Sequence, residues 1–334
     1  MEPQRLPAIP QPAMPIGEFE LIDRYFARPV QRAVLGIGDD CALLQPAPGM
    51  QLAVSSDMLL EGRHFLSTVE PRRLGHKALA VNLSDLAACG ARPLAFSLAL
   101  ALPQAEAGFL EGFAAGLFAL ADRHGCELVG GDTTRGPLAV CISVFGEVPA
   151  GAALLRSGAR AGDDLYVSGT LGDARLALEV FRGRVALEGT AFERVRRAME
   201  QPEPRLALGL ALRGVASSAI DVSDGLLGDL RHILQRSGVG ATVEVDAVPR
   251  SAVLAAQAPG LQRLCTLAGG DDYELLFSAP GSPATAVAAA AAAAGVAVTR
   301  IGRIEQAAGL RLVDADGRAV ADGFGSFDHF RASP

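Results

Sequence analysis

The sequence predicts an α/β protein of the α+β type, built as two domains, and three observations support this. Short apolar runs typical of strands alternate with stretches typical of helices along the whole chain. Half of the 334 residues are hydrophobic, which is enough to build a sizeable core. The turn-forming stretch 146–151 has a similar order of elements on either side, which indicates a domain boundary near residue 150.

The predicted elements follow from the spacing of apolar residues. Strands are expected at 33–37, 51–55, 94–102, 138–146, 164–168, 217–222, 241–245, 273–278 and 296–304. Helices are expected near 17–27, 71–90, 105–124, 171–182, 191–199, 204–216, 224–237 and 283–294. Gly130 and Gly131 are expected to turn the chain tightly after a strand that ends at Val129.

The domains predicted are 17–149 and 150–334, after a flexible leader at 1–16 that contains five prolines. This leader has no apolar segment of the signal-peptide type, so export is not expected. The five cysteines are widely spaced and form no CxxC pair, which favours reduced thiols in a cytoplasmic protein. No apolar run reaches the roughly 20 residues of a membrane helix, so no membrane association is expected.

The net charge of −7 argues against a nucleic-acid partner, because such partners are bound mainly through clustered lysine and arginine. An acidic protein can still bind a polyphosphate when divalent cations stand between its carboxylates and the ligand. The positions of the carboxylates are therefore informative.

Aspartates follow five of the apolar runs. They are Asp39 with Asp40, Asp57, Asp132, Asp221 with Asp224, and Asp271 with Asp272. Each one alone is ambiguous, because aspartate is common in turns and at helix N-termini. Gathered at strand ends, they would repel one another unless a cation balanced them, and hard oxygen ligands select Mg²⁺.

Asp85 supports the same interpretation from a helix. It shares one helical face with Ala78, Asn82 and Cys89 in the predicted helix 71–90. A carboxylate among small apolar neighbours is unfavourable unless it has a partner, so Asp85 is a further candidate ligand. The sequence has no GxxxxGK[ST] or HExxH motif, and its histidines are too dispersed to suggest a zinc site.

Seven motifs in order resemble the thiamine-monophosphate kinase family. They are LGIGDDCAL at 35–43, SSD at 55–57, KALAVNLSDLAA at 77–88, GGDTT at 130–134, RSG at 156–158, DVSDG at 221–225 and GGDDYE at 269–274. This family belongs to the ATP-binding superfamily that includes aminoimidazole ribonucleotide synthetase and selenophosphate synthetase. The resemblance implies an N-terminal domain that pairs in a homodimer and a C-terminal α/β domain that completes the site.

The resemblance also implies an activity, which is direct in-line transfer of the γ-phosphoryl group of ATP to thiamine monophosphate, aided by several Mg²⁺ ions. A phosphate acceptor is already anionic, so no covalent nucleophile or obligatory base is expected. The implied Mg²⁺ ligands are Asp40, Ser55, Ser56, Asp57, Asp85, Asp132, Asp221 and Asp224. The implied ATP contacts are Gly131, Arg156 and Ser223, and the implied acceptor contacts are His64, Asp271 and Phe324.

The sequence departs from the family at three of these positions. Relatives often have Glu at Asp271, Trp at Phe324 and Thr at Ser56. Two alternatives remain open, namely another ATP-dependent synthetase of the superfamily and a catalytically silent regulatory module that binds Mg-nucleotide. Selenophosphate synthetase relies on a cysteine near a lysine in its N-terminal tail, and the leader here has neither.

Overall fold

A computed structural model describes residues 17–281 and 284–324, which form two β-sheets and ten helices. The first part of the chain contains α1 (Glu18–Tyr25), β1 (Met50–Leu60), α2 (Pro71–Ala88), β2 (Arg92–Leu102), α3 (Ala107–His124), β3 (Glu127–Arg135) and β4 (Ala139–Pro149). Residues 150–162 contain no helix or strand and lead to the second part of the chain, which begins with the strand at Asp163.

The second part is richer in short helices. It contains β5 (Asp163–Ser168), α4 (Asp173–Phe181), α5 (Gly189–Glu200), α6 (Leu206–Ala211), β6 (Ser218–Asp221), α7 (Leu226–Ser237), β7 (Gly240–Glu244), α8 (Ala252–Ala255), α9 (Pro259–Ala268), β8 (Leu275–Pro280), α10 (Ala284–Ala294), β9 (Val298–Glu305) and β10 (Gly309–Val313).

The first sheet has the strand order β1-β4-β2-β3, and only the β2–β3 pair is parallel. Alternate residues of β4 show its two faces: Val140, Ile142 and Val144 are buried, whereas Cys141 and Ser143 are half-buried. Helices α2 and α3 cover the buried face, because their own apolar residues need the same protection from water. The opposite face of the sheet is called the outer face below.

The second sheet has the order β10-β7-β9-β5-β8-β6, and it is antiparallel except for the β10–β7 pair. One of its faces packs with α7 in a separate apolar core. The other contributes Tyr166, Ala219 and Phe277 to the core that contains α2 and α3. The two sheets therefore share one continuous hydrophobic core through α2 and α6.

Two predictions about strands are wrong. The predicted strand 33–37 forms only isolated bridges, and Glu127 holds this segment by accepting the N–H groups of residues 31, 32 and 33. The expected tight turn at Gly130 and Gly131 is instead the middle of β3, which pairs with β2 as far as Arg135. The glycine at 131 is needed because a Cβ there would lie 1.8 Å from the Leu98 carbonyl oxygen.

Several of the aspartates predicted at strand ends lie elsewhere, and these include Asp39 and Asp40, because the predicted strand 33–37 does not form. Asp57 and Asp132 are inside β1 and β3, because both strands continue past the apolar runs that predicted them. Asp271 follows the helix α9, which the sequence analysis did not predict. Asp221 does end its strand, β6.

All five cysteines are free thiols. Among the helices of residues 17–281 and 284–324, none combines the length and apolar character needed to span a membrane. The predicted leader at 1–16 lies outside the described residues.

The packing of α2 against α3 generates a prediction. A Cβ on Gly116 would lie 1.8 Å from the backbone oxygen of Arg72, so we expect Gly116→Ala to lower the free energy of unfolding by about 1–3 kcal/mol or more. Gly108 lies on the same helix with nothing within 4 Å, and Gly108→Ala should raise stability by about 0.5–1 kcal/mol. Urea unfolding measures both, and equal effects would contradict this account of the interface.

Candidate active site

Asp57 is the first of four carboxylates gathered where α2 meets β1 and β6. Its backbone N–H donates to Asn82 Oδ1 at 3.0 Å, and the Asn82 amide, 1% exposed, donates in turn to the Ala78 carbonyl. Burial raises the pKa of Asp57 to about 6, and the negative charges of Asp85 and Asp224 add to this. Burial and neighbouring negative charge therefore both disfavour the ionised form of Asp57.

Asp85 faces β1 from α2, as its helical spacing predicted. The hydroxyl of Ser55 donates to Asp85 Oδ2 at 2.5 Å. Burial raises the pKa of Asp85, while this hydrogen bond and the charge of Arg156 act in the opposite direction. Ser55 and Arg156 thus partly compensate the Asp85 charge.

Asp221 joins the second sheet to this cluster. Ser84 Oγ on α2 donates to Asp221 Oδ2 at 2.7 Å, and both side chains are buried. Burial raises the pKa of Asp221, and repulsion by Asp85 and Asp57 raises it further. Two adjacent residues of α2 therefore belong to the cluster: Ser84 binds the Asp221 carboxylate, and Asp85 supplies a carboxylate of its own.

Asp224 and Ser223 are held by a residue that the sequence analysis missed. Asp229, in the first turn of α7, accepts the backbone N–H groups of Ser223, Asp224 and Gly225 at 3.1–3.2 Å. Burial raises the pKa of Asp229 to about 8, with Asp221 and Asp224 contributing. Its position four to six residues after an aspartate-rich turn was the signal available in the sequence.

The residues Asp40, Gly131 and Asp132 lie apart from this cluster. They line a cleft of about 490 Å³ at the β3 edge, together with apolar side chains that include Phe26 and Leu44. The register places Asp57 and Gly131 in one row across four strands, through Ile142 and Leu98. At a strand spacing of about 4.8 Å, these two backbone positions are separated by at most about 14 Å.

The side chains of Asp57 and Asp132 also face opposite sides of the first sheet. Asp132 pairs with the exposed Ala99, so it points to the outer face, whereas Asp57 points towards α2. The Ser56 hydroxyl is on the outer face as well, where it lies 2.9 Å from Ser143 Oγ. The predicted Mg²⁺ ligands are thus divided between the two faces of the first sheet.

The predicted acceptor-side residues lie in three different segments. Asp271 follows α9, where its Oδ2 is 3.1 Å from Lys77 Nζ. His64 lies after β1, and its Nδ1 accepts the Leu60 N–H at 3.0 Å. Phe324 packs against the core of the second sheet at the end of the described residues.

Two other acidic residues of the GGDDYE motif have structural partners. Asp272 is half-buried, accepts the Gly172 N–H at 2.9 Å, and has a pKa raised well above its usual range by burial of its carboxyl group. Glu274 forms an ion pair with Arg205 and accepts the hydroxyl of Ser168 at 2.5 Å. The Asp271 side chain is 36% exposed, compared with 6% for Glu274.

The carboxylate cluster suits Mg²⁺ that is held jointly with phosphate. Within residues 17–281 and 284–324, no three acidic, histidine or cysteine side chains form a preformed metal cage. Mg²⁺ at phosphate sites usually takes only one or two carboxylates, and phosphate oxygens and water complete its shell. The raised pKa values of Asp57, Asp85 and Asp221 indicate that their ionised forms are disfavoured in the metal-free site, an effect that bound cations would offset.

Comparisons with known proteins agree with this architecture. Residues 38–148 match the family model "AIR synthase related protein, N-terminal domain", and residues 160–315 match the corresponding C-terminal domain. The thiamine-monophosphate kinase of Salmonella typhimurium is 46% identical over 95% of this chain and 99% of its own length.

Comparison with solved structures agrees with the sequence comparison. The crystal structure of thiamine-monophosphate kinase from Stenotrophomonas maltophilia has a TM-score of 0.81 at 45% identity and covers 90% of this chain and 96% of its own. The structure described as AaThiL complexed with AMPPCP and TMP has a TM-score of 0.73 at 30% identity, over 94% of this chain and 97% of its own. This chain therefore belongs to the AIR synthase related proteins and, within them, to the thiamine-monophosphate kinase family.

Proposed function

We propose that this protein phosphorylates thiamine monophosphate with ATP, giving thiamine diphosphate and ADP. The observation that carries the proposal is the cluster of Asp57, Asp85, Asp221 and Asp224, in which burial raises the pKa values of Asp57, Asp85 and Asp221 although Arg156 acts in the opposite direction on Asp85 and Asp221. A relative in complex with AMPPCP and TMP has the same fold over nearly the whole chain. The reaction belongs to thiamine diphosphate biosynthesis, and five free thiols support a cytoplasmic location.

Mg²⁺ ions would bridge and neutralise the phosphates of both substrates, so that the two reacting groups can approach each other. The residues proposed to hold these ions are Asp40, Ser55, Ser56, Asp57, Asp85, Asp132, Asp221 and Asp224. Ser55, Ser84 and Asn82 orient the cluster through the hydrogen bonds described above. Because the acceptor oxygen is already anionic, the chain's main tasks are to align the substrates and exclude water.

The nucleotide and acceptor would be held by different segments. Gly131, Arg156 and Ser223 are proposed to contact ATP, and Ser237 supports Arg156 by donating to its carbonyl oxygen at 3.1 Å. His64, Asp271 and Phe324 are proposed to contact thiamine monophosphate. A carboxylate and an aromatic ring suit the cationic heterocycle of this substrate.

A homodimer would explain the apolar outer face of the first sheet. On β1, Leu52, Val54, Met58 and Leu60 are 38–60% exposed and form a row on that face. Such a row is typical of a protein interface, and a second copy is the partner that we propose. Asp132 points to the same face, so the partner subunit would cover the side of the sheet that carries it.

The main test is a product assay with Mg-ATP and thiamine monophosphate. We expect stoichiometric ADP and thiamine diphosphate, resolved by chromatography. Tight nucleotide binding without turnover would instead support a silent regulatory module. Activity with a different acceptor only would support another synthetase of the superfamily.

Asp57→Asn should raise the stability of the metal-free protein and lower activity. In the metal-free protein, Asp57 has a folded pKa of about 6 against 3.8 when unperturbed. Between these values the folded state binds more protons, so the stability contribution of Asp57 falls as pH rises from 4 to 6 and stays low above that. Asp57→Asn should therefore raise Tm at pH 7.5, by about 2–4 °C for each kcal/mol of repulsion removed.

The turnover of the same variant should fall by at least about 100-fold, because substituting residues that only support metal ligands already lowers metal affinity or activity by about 10-fold to 100-fold. Calorimetry at pH 7.5 and pH 4.0, together with the product assay, measures both effects. Asp23→Asn, which changes an exposed carboxylate on α1, is the control and should alter neither. Full activity of Asp57→Asn at limiting Mg²⁺ would contradict the metal assignment.

The division of carboxylates between two faces makes a subunit-mixing experiment informative. If each site combines Asp57 of one subunit with Asp132 of the other, mixing inactive Asp57→Asn and Asp132→Asn dimers should restore about a quarter of wild-type activity. Half of the dimers would then be mixed, each with one intact site. No recovery after confirmed subunit exchange would show that each chain supplies its own complete site.

A further inference from the structure

Lys77 is the only lysine in the sequence, which contains 29 arginines. It lies on α2 and is 2% exposed, which makes it one of the most buried large side chains of the described residues. An ammonium group removed from water needs partners. A lysine ammonium is a compact point charge, whereas an arginine guanidinium is wide and planar. The single lysine of this sequence is thus found where the space for a cation is confined.

The Lys77 ammonium contacts both of the polar residues proposed to bind the acceptor. Its Nζ is 3.1 Å from Asp271 Oδ2 and donates to the backbone oxygen of His64 at 3.1 Å. His64 follows β1 in the first part of the chain, and Asp271 follows α9 in the second. One buried charge therefore ties together two segments that are more than 200 residues apart in sequence.

The segment that carries Asp271 is strained and held from several sides. Asp271 and Tyr273 have φ values of +66° and +52°, in the left-handed region that non-glycine residues rarely adopt. Their backbone N–H groups donate to the carbonyl oxygens of Ser223 and Val222, each at 2.9 Å. Tyr273 Oη donates to Asp271 Oδ1 at 3.0 Å, while Lys77 holds Oδ2. The carboxylate is thus fixed through both of its oxygens.

The His64 side is fixed in a comparable way. Lys77 holds its backbone oxygen, and the Leu60 N–H donates to its Nδ1. A neutral imidazole that accepts at Nδ1 carries its proton at Nε2. The ring orientation and tautomer of His64 therefore depend on the turn whose carbonyl oxygen Lys77 holds.

We propose that Lys77 is a positioning residue for the phosphate acceptor, acting through Asp271 and His64 without touching the substrate itself. This inference rests on the proposed function, because it assigns those two residues to thiamine monophosphate. Removing the ammonium would release a strained loop and a turn on the acceptor side. Both of these Lys77 contacts lie on the acceptor side, and the Asp271 segment is linked to the nucleotide side through its N–H, which donates to the Ser223 carbonyl oxygen.

The matched control is Arg73, which lies one turn earlier on the same helix. It forms ion pairs with Glu193 and with Glu200, at 3.0 Å in the second case, and both acids belong to α5. Arg73 thus also joins α2 to the second part of the chain, but away from Asp271. A purely structural role for Lys77 would make the two methionine variants behave alike.

The kinetic test compares Lys77→Met, Arg73→Met, Asp271→Asn and the double variant Lys77→Met/Asp271→Asn. We expect Lys77→Met to raise KM for thiamine monophosphate between about 10-fold and 100-fold, with KM for ATP changed less than about twofold. Arg73→Met should change neither. The double variant should lose less than the product of the two single losses, because Lys77 acts in part through Asp271. Additive losses, or equal changes in both KM values, would overturn the proposal.

A second measurement needs no substitution. Wild-type protein grown with lysine labelled with ¹³C at Cε should give a single side-chain signal that requires no assignment. That signal should shift on addition of thiamine monophosphate and shift much less on addition of Mg-ADP. A signal unmoved by saturating thiamine monophosphate would overturn the positioning role, even if Lys77→Met fails to fold.

Binding of thiamine monophosphate to wild-type protein, measured by calorimetry, separates this proposal from the proposed function. If the wild-type protein neither binds nor phosphorylates it, the function is wrong and the inference is wrong with it. If the wild-type protein is active and Lys77→Met has an unchanged KM for the acceptor, the inference alone is wrong.

Discussion

Repulsion among buried carboxylates is the constraint on which the rest of this site depends. Asp57, Asp85 and Asp221 come from a strand, a helix and a second sheet; Asp85 raises the pKa of both Asp57 and Asp221, and Asp57 raises that of Asp221. The protein tolerates this through a few hydrogen bonds from Ser55 and Ser84 and through Arg156 nearby. Those contacts orient the carboxylates but do not neutralise them. The remaining charge is what makes the cluster suitable for cations that arrive with a polyphosphate.

Helix α2 meets this constraint because of the order of its residues. Its small residues, such as Gly75 and Ala78, allow close packing on α3 and on the first sheet. The same helix supplies Lys77, which contacts Asp271, Asn82, which orients Asp57, and Asp85, which belongs to the carboxylate cluster. Packing and chemistry are therefore carried by adjacent positions of one element, and a shift of α2 would disturb all of these contacts together.

The sequence predicted the fold class, the family and helix α2, because these depend on periodicity and on ordered motifs. The placement of Asp85 and Asn82 on one helical face was also accessible from a spacing of three and four residues. Strand ends were harder to predict. Polar residues such as Asp57 and Asp132 stopped the predicted strands, although backbone pairing continues through both of them.

Other features depend on contacts between distant segments, which composition does not encode. Asp229 binds three backbone N–H groups of a preceding turn, and Asp271 forms an ion pair with the Lys77 ammonium, from a helix far away in sequence. The division of Asp57 and Asp132 between two faces follows from strand register, which motif order alone does not give. The roles of individual ligands carried over from the family therefore stay predictions.

The continuous core shared by the two sheets has a consequence for motion. Opening the two halves like a hinge would expose apolar side chains of α2, α6 and the second sheet to water, and it would break the buried Ser84–Asp221 hydrogen bond. Slow rigid-body opening is therefore a poor route for substrates to enter. We therefore expect substrate and product to exchange through local movement of segments at the rim, without separation of the two halves.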